Sequence, residues 1–180
     1  MTATSSGWCT PLPKRTSFAA RQVALFGMLG GLTFGAKFVM AGLPNIEPVS
    51  LMVMLFGVLF GKKALFPIYT YVFLEFALNG LGLWSIPYLY VWPLLALMAW
   101  LLRSMNSSLG WAMLSGVFGL LFGALCAPVL LAVGGPAFAL SWWLSGLGFD
   151  LLHCVGNFAL AMILFLPLRR LLSRLLSWAE

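Results

Sequence analysis

The sequence has few charged residues and very few acidic ones. Of its 180 residues, 8% are charged and 62% are hydrophobic, whereas about 25% of a soluble domain is charged. This composition excludes a water-soluble globular protein. Four acidic residues stand against ten basic ones, a formal net charge of +6. Such an excess is compatible with nucleic-acid binding, with anionic lipid or with the cytoplasmic loops of a membrane protein, so the positions of the charges must decide.

Cysteine and histidine are also scarce. Cys9, Cys126 and Cys154 are odd in number and scattered, which favours packing over a disulfide framework or a metal site. A single histidine excludes a di-histidine metal site, and neither a glycine-rich phosphate loop nor a serine–histidine–aspartate spacing is present. We therefore expect no metal, no cofactor and no enzymatic activity. The enzymatic alternative is an intramembrane hydrolase that uses Asp150 and His153.

Long apolar runs predict an all-α integral membrane protein. A bilayer core of about 30 Å needs roughly 20 apolar residues in a helix. The second run is shorter than that. It crosses the bilayer only if residues 43–48 are part of the span, or else it forms a re-entrant or tilted segment. The first run is too long for the core of a signal peptide and is read as an uncleaved span. The bundle of six predicted transmembrane helices comprises residues 18–43, 49–60, 64–83, 88–102, 109–133 and 138–168.

The basic residues predict the orientation of these spans. All of them except Lys37 lie in the leader or just after it at Arg21, in alternate connections or in the tail. Because cytoplasmic loops are enriched in lysine and arginine, both termini are expected in the cytoplasm, which removes the reason to invoke nucleic acid. The expected organisation is a cytoplasmic leader (1–17), a six-helix substrate-binding domain (18–168) and a basic cytoplasmic tail (169–180).

Small residues recur along one face of the first predicted helix. Their steps of three or four residues keep them on one side at 100° per residue. Such a face allows close helix contact in lipid, either within the bundle or with a separate membrane subunit. The residues are Ala20, Ala24, Gly27, Gly31 and Gly35.

Ionisable and amide side chains lie near the outer ends of the first and third spans. Lys37 is in the first span, Glu75 and Asn79 are four residues apart in the third, and Asn45 and Glu47 lie in the connection between the first and second. Ionisable residues within a membrane are candidate functional groups. Lys37 either binds ligand, snorkels to the headgroups or forms a structural pair with Glu47 or Glu75.

The last predicted span carries a polar and aromatic stripe. Trp143, Gly146, Asp150, His153 and Asn157 recur every three or four residues, which places them on one face that must point inward. An indole beside acid, imidazole and amide groups is typical of a small-molecule pocket. Aromatic residues at the outer end of the fourth span belong either to an interface belt or to the same pocket; these are Trp84, Tyr88 and Trp92.

Several segments together resemble the S components, the substrate-binding membrane subunits of energy-coupling factor (ECF) importers. The resemblance covers about residues 19–172. Its most telling stretches are LPNIEPVS (43–50), FGKKA (60–64), NGLGLW (79–84), YLYVWP (88–93) and FDLLHCVGNF (149–158). The family also carries an Ala-x-x-x-Ala element on its first helix, which Ala20 and Ala24 match.

The resemblance implies a multi-pass protein of the bacterial cytoplasmic membrane. It would capture a vitamin-like solute in an outward cavity closed by the loop after the first span. Release would follow toppling of the subunit in a complex with one transmembrane coupling subunit and two ATPase subunits. The partner-docking face would comprise Ala20, Ala24, Gly27 and Gly31.

The identity of the solute stays open at this point. Acidic and amide groups beside aromatic rings suit a flat polar heterocycle, such as a deazapurine precursor of queuosine; folate, riboflavin and cobalamin are alternatives. A transporter or channel that works alone is the alternative function, and an intramembrane enzyme is the third. The predicted binding residues are Lys37, Asn45, Glu47, Glu75, Asn79, Trp84, Tyr88, Trp92, Trp143, Asp150, His153 and Asn157.

Overall fold

The computed structural model describes residues 15–42 and 46–177. In this part of the chain all regular secondary structure is helical, which confirms the all-α class. A single 3₁₀ turn, Gly61–Ala64, separates the second and third helices. The helices are α1 (Arg15–Val39), α2 (Val49–Phe60), α3 (Leu65–Asn79), α4 (Ser85–Leu101), α5 (Ser108–Leu120) and α6 (Phe122–Ser177).

Three helical stretches are long and apolar enough to cross a membrane. They are Ala20–Val39, Val49–Asn79 and Ser108–Leu176, while Ser85–Leu101 is apolar but shorter. Two of the long stretches contain a break. Gly61 lies between α2 and α3 with φ 56°, and Gly135 interrupts α6 with φ 77°. Glycine tolerates this left-handed backbone, in which a Cβ would be strained.

Side-chain contacts define how the first three helices run. Phe26 of α1 stacks on Phe66 of α3 with ring centroids 5.7 Å apart, and further along Lys37 of α1 meets Glu75 of α3. The two helices are therefore parallel. α2 lies in the opposite direction, since its last residue, Phe60, returns to Phe26 at 5.2 Å.

A seam of small residues joins α5 and the start of α6 to the later part of α6. A Cβ at Gly119 would lie 2.8 Å from the backbone carbonyl of His153, and one at Gly116 would lie 3.2 Å from Phe158. Only glycine allows backbones to approach this closely, and such seams replace the hydrophobic effect between helices in lipid. The seam fixes α5 against the part of α6 that carries the predicted polar stripe.

One end of the bundle is strongly basic. Arg169 of α6 hydrogen-bonds to the carbonyl groups of Arg103 and Met105 beyond α4, and Trp100 at the end of α4 packs on Gly61. These contacts bring the connection after α2, the connection after α4 and the end of α6 together. The cations at this end whose side chains the structure describes are Lys62, Lys63, Arg103, Arg169, Arg170 and Arg174, and Arg21 follows the start of α1.

Candidate functional site

Lys37 lies at the opposite end of the bundle and is held by two carboxylates. Its Nζ is 2.9 Å from Glu75 Oε1 and 3.9 Å from Glu47 Oε2. Glu75 is 2% exposed, and its other oxygen accepts a hydrogen bond from Asn79 Nδ2 at 2.9 Å. The ammonium group also lies 5.7 Å from the ring centre of Tyr88. The structure thus places Lys37 in an internal network, with both predicted acidic partners.

Glu47 approaches this network from the connection between α1 and α2. Burial raises the pKa of its carboxyl group, and Glu75 raises it further, whereas Lys37 lowers it. Residues 46–48 are not helical, so the connection brings its acid to the site through irregular backbone. The predicted binding residue Asn45 lies outside the described residues.

Aromatic rings form a layer beneath the Lys37 network. Trp92 is 1% exposed and packs 5.4 Å from Tyr88, 6.1 Å from Tyr71 and 5.6 Å from Phe122, measured between ring centroids. Trp84, by contrast, is 42% exposed; its ring makes edge contacts with Tyr88 of the layer and with Phe76. Trp84 therefore fits an interfacial position, and Trp92 is enclosed.

A second polar cluster lies beyond the aromatic layer. Asn157 Nδ2 donates to Ser50 Oγ at 3.0 Å and to the Ser115 carbonyl at 3.4 Å, and the His153 ring lies 5.0 Å from that of Phe122. Within the described residues, four buried polar atoms of this region lack a hydrogen-bond partner. These orphaned atoms are Trp92 Nε1, Ser115 Oγ, His153 Nε2 and Asn157 Oδ1.

Asp150 is buried on the same stripe but is engaged by the protein. Its two carboxylate oxygens accept from the Gly123 backbone N–H at 3.1 and 3.2 Å, and Trp143 lies on the same side of Gly123. Gly123 is in the first turn of α6, where unpaired N–H groups favour an anion. Asp150 therefore caps the N-terminus of α6, although it lies 27 residues further along the chain.

The predicted docking face of α1 points away from the bundle. Ala20, Ala24 and Gly27 are exposed, and Gly31 is half-buried. A Cβ added at Gly27 or Gly31 would meet no atom within 4 Å among the described residues. The neighbouring Gly30 instead packs on α3. This face is thus available to another molecule.

Some residues of the site were not predicted from the sequence. Ser50 and Ser115 are isolated hydroxyls in apolar runs, and Phe118 and Phe122 extend the aromatic layer. A polar residue inside a span is itself a signal, because lipid offers it no partner. The two phenylalanines carried no signal that separates them from lipid-facing rings.

Comparison of the chain with protein-family models, with curated proteins and with solved structures found no match.

Proposed function

We propose that this protein is the substrate-binding subunit, or S component, of an ECF-type importer in the bacterial cytoplasmic membrane. In this proposal six segments cross the bilayer, both termini are cytoplasmic, and the Lys37 network faces outward. The bound solute is a vitamin-like or nucleobase-like micronutrient. ATP hydrolysis belongs to partner subunits, and this chain binds, carries and releases the solute.

The observation that carries the proposal is the set of orphaned polar atoms in an apolar bundle. Leaving a buried donor or acceptor unpaired costs about 1–3 kcal/mol. Four such atoms, on α4, α5 and α6, cluster around one aromatic layer. A polar solute that pairs with them would recover that free energy on binding.

The start of α2 supports a site within the membrane. α2 has 12 residues, or about 18 Å at 1.5 Å per residue, which is shorter than the apolar core of a bilayer. Its second residue, Ser50, is fully buried and bonds to Asn157 in the middle of α6. Irregular backbone at membrane depth occurs only where protein covers it or where it lines a cavity. We therefore infer that the connection before α2 covers the binding site.

The α1 face supports a partner in the same membrane. Small exposed residues allow a second helix to approach closely, and the large neighbours Val23 and Met28 are each 73% exposed. The face lies on the outside of α1, whereas α3 packs on its other side through Gly30. Docking of a coupling subunit here would leave the interior site undisturbed.

The chemistry of the site favours a planar, polar and uncharged heterocycle. Trp92, Tyr88 and Phe122 offer ring faces and edges for stacking. The orphaned indole N–H donates, the Asn157 carbonyl oxygen accepts, and the Ser115 hydroxyl does either. Because Lys37 is already paired with Glu75 and Glu47, no excess charge is left to hold a polyanion. Nucleobase-like rings, including deazapurines, fit this pattern.

The first experiment is native mass spectrometry of the purified protein, followed by release and identification of any bound small molecule. We expect a stoichiometric heterocycle. Asn157→Leu should weaken the affinity for this heterocycle at least about tenfold, which corresponds to roughly 1.4 kcal/mol. Ser145→Ala is the matched control, because Ser145 is exposed and its hydroxyl donates to the Trp142 carbonyl within the same helix turn.

The second experiment separates the importer subunit from its alternatives. Uptake of the identified solute should require co-expressed coupling and ATPase subunits. Uptake by this chain alone would instead establish an independent transporter. A protein that stays empty after incubation with a library of vitamins and nucleobases would refute solute binding. Turnover of a lipid or peptide that is lost in Asp150→Asn would establish the enzymatic alternative.

A further inference from the structure

A basic cleft lies at the end of the bundle opposite to the Lys37 network. It has a volume of about 340 Å³ and is formed where the later part of α6 passes the connection between α4 and α5. The proposed transport function assigns this cleft no role. It is lined by Asn106, Leu166, Arg169, Arg170, Ser173 and Arg174.

The wall of the cleft is fixed by hydrogen bonds. The Arg169 guanidinium group donates from Nη1 to the Met105 carbonyl at 3.0 Å and from Nη2 to the Arg103 carbonyl at 2.9 Å. Trp111 Nε1 also donates to the Met105 carbonyl, at 3.1 Å. The connection is thereby tied to both α5 and α6, so a ligand in the cleft would meet a pre-organised surface.

The positive charge of Arg170 is not balanced by a carboxylate of the described residues. Glu47 and Glu75 are engaged with Lys37 at the other end, and Asp150 binds Gly123. Arg170 is exposed and points its charge into a cleft that holds the neighbouring Arg169 as well. A guanidinium group binds phosphate through two parallel hydrogen bonds, so an anion of this class is the expected ligand.

Apolar side chains next to the cleft indicate that this anion is part of a lipid. Leu171 and Leu175 follow the cleft on α6 and are 51% and 58% exposed, and Leu102 on the facing connection is 43% exposed. Basic pockets at helix ends with apolar surroundings are typical sites for anionic headgroups. A free phosphate ion has no apolar part that could pack on the exposed leucines, whereas a lipid has acyl chains.

We propose that this cleft binds the phosphate of an anionic phospholipid, with Arg170 as its main ligand and Ser173 and Asn106 as hydrogen-bonding neighbours. Arg169 positions the wall and does not itself need to contact the lipid. The orientation in the proposed function places the cleft at the inner leaflet. Lipid binding itself does not depend on that orientation or on the transported solute.

The test is titration of the delipidated protein with phosphatidylglycerol, followed by native mass spectrometry, with phosphatidylcholine of the same acyl chains as the comparison. We expect phosphatidylglycerol to bind at least about tenfold more tightly. Arg170→Gln combined with Arg174→Gln should remove most of that preference. Lys62→Gln combined with Lys63→Gln is the matched control, since it removes the same charge from the same end outside the cleft, and should leave the preference within about twofold.

Several results would overturn the proposal. Equal loss in the two double variants would mean that the lipid responds to overall charge and not to the cleft. Inorganic phosphate that displaces phosphatidylglycerol at equal concentration would assign the cleft to a free anion. Full lipid preference in the arginine variant, together with lost assembly with a coupling subunit, would assign it to a protein partner.

A milder variant covers the case in which the double arginine variant does not fold. Arg170→Lys keeps the charge but cannot form the paired hydrogen bonds of guanidinium. We expect a reduced preference for phosphatidylglycerol with an unchanged melting temperature. An unchanged preference in this variant would argue against recognition by the Arg170 guanidinium group.

Discussion

Replacing Gly119 by alanine tests the small-residue seam between α5 and α6. The new methyl group would lie 2.8 Å from the backbone carbonyl carbon and oxygen of His153 and 3.0 Å from Asn157 Nδ2. Backbone cannot yield as a flexible side chain does, and overpacking of this kind costs about 1–3 kcal/mol. We therefore expect Gly119→Ala to lower the free energy of unfolding and to displace the two polar residues.

Gly27→Ala is the matched control for this substitution. It adds the same methyl group and the same gain in helix propensity, about 1 kcal/mol, at a position where the methyl group would contact no other helix of the described chain. The difference between the two variants therefore isolates the overlap at the seam. At about 2–4 °C per kcal/mol for a protein of this size, Gly119→Ala should melt several degrees below Gly27→Ala.

The assay is thermal unfolding of the purified proteins in one detergent, followed by solute binding to the folded variants. Gly119→Ala should also weaken solute binding, because Asn157 moves with the seam, while Gly27→Ala should bind normally. Equal melting temperatures and equal affinities for the two variants would refute the close approach of α5 to α6. A lower melting temperature for Gly27→Ala would instead show that the α1 face is packed.

Three further predictions concern the Lys37 network and the α1 face. Lys37→Met should lower the free energy of unfolding by about 3–5 kcal/mol, because it removes the cation that pairs with the buried Glu75 carboxylate. Combining it with Glu75→Gln should recover most of that loss, measured by chemical unfolding. Ala24→Trp should leave solute affinity unchanged but abolish ATP-dependent uptake with the coupling module; loss of both at normal expression would contradict the docking assignment. The pKa of Glu47 is raised in the folded state. The wild type should therefore gain stability relative to Glu47→Gln as the pH falls through that raised pKa toward the ordinary value of 4.5. A difference in melting temperature that does not change with pH would show that Glu47 is not buried.

The sequence was sufficient for the helical class and for the prediction that the described cations other than Lys37 gather at one end of the bundle. A membrane protein needs apolar runs of a set length with cations beside them, and both features can be recognised in a short stretch of sequence. The inward direction of the stripe on the last predicted span is confirmed for its later part, since Asp150, His153 and Asn157 are buried, whereas Trp143 and Gly146 are half-buried. Periodicity alone carries this information, because lipid penalises polar groups on the other faces.

Contacts that depend on chain breaks could not be predicted in the same way. That Asp150 contacts solute stays a prediction. The sequence did not indicate that both of its oxygens accept from the Gly123 N–H, because this contact depends on the interruption of the helix before Phe122. The α1 stripe was compatible with internal or external packing, and only the arrangement of α3 beside Gly30 directs it outward. Residue spacing defines a face of a helix, but the neighbours of that face are a property of the whole bundle.

The shortness of α2 has a consequence for release of a solute. From Ser50 to Phe60 the helix continues toward the basic end, and its side chains Val53, Met54, Leu55 and Phe56 are completely enclosed. In the proposed function, a solute bound at Asn157 would thus sit above an apolar plug about 10 Å thick, estimated from the helical rise between Ser50 and Gly57. Side-chain rotation alone cannot open a water-filled path through such a plug. In the proposed function, delivery therefore requires either that α2 separates from α4, where Gly57 packs on the Ala96 carbonyl, or that the bundle moves as one body and carries its plug along.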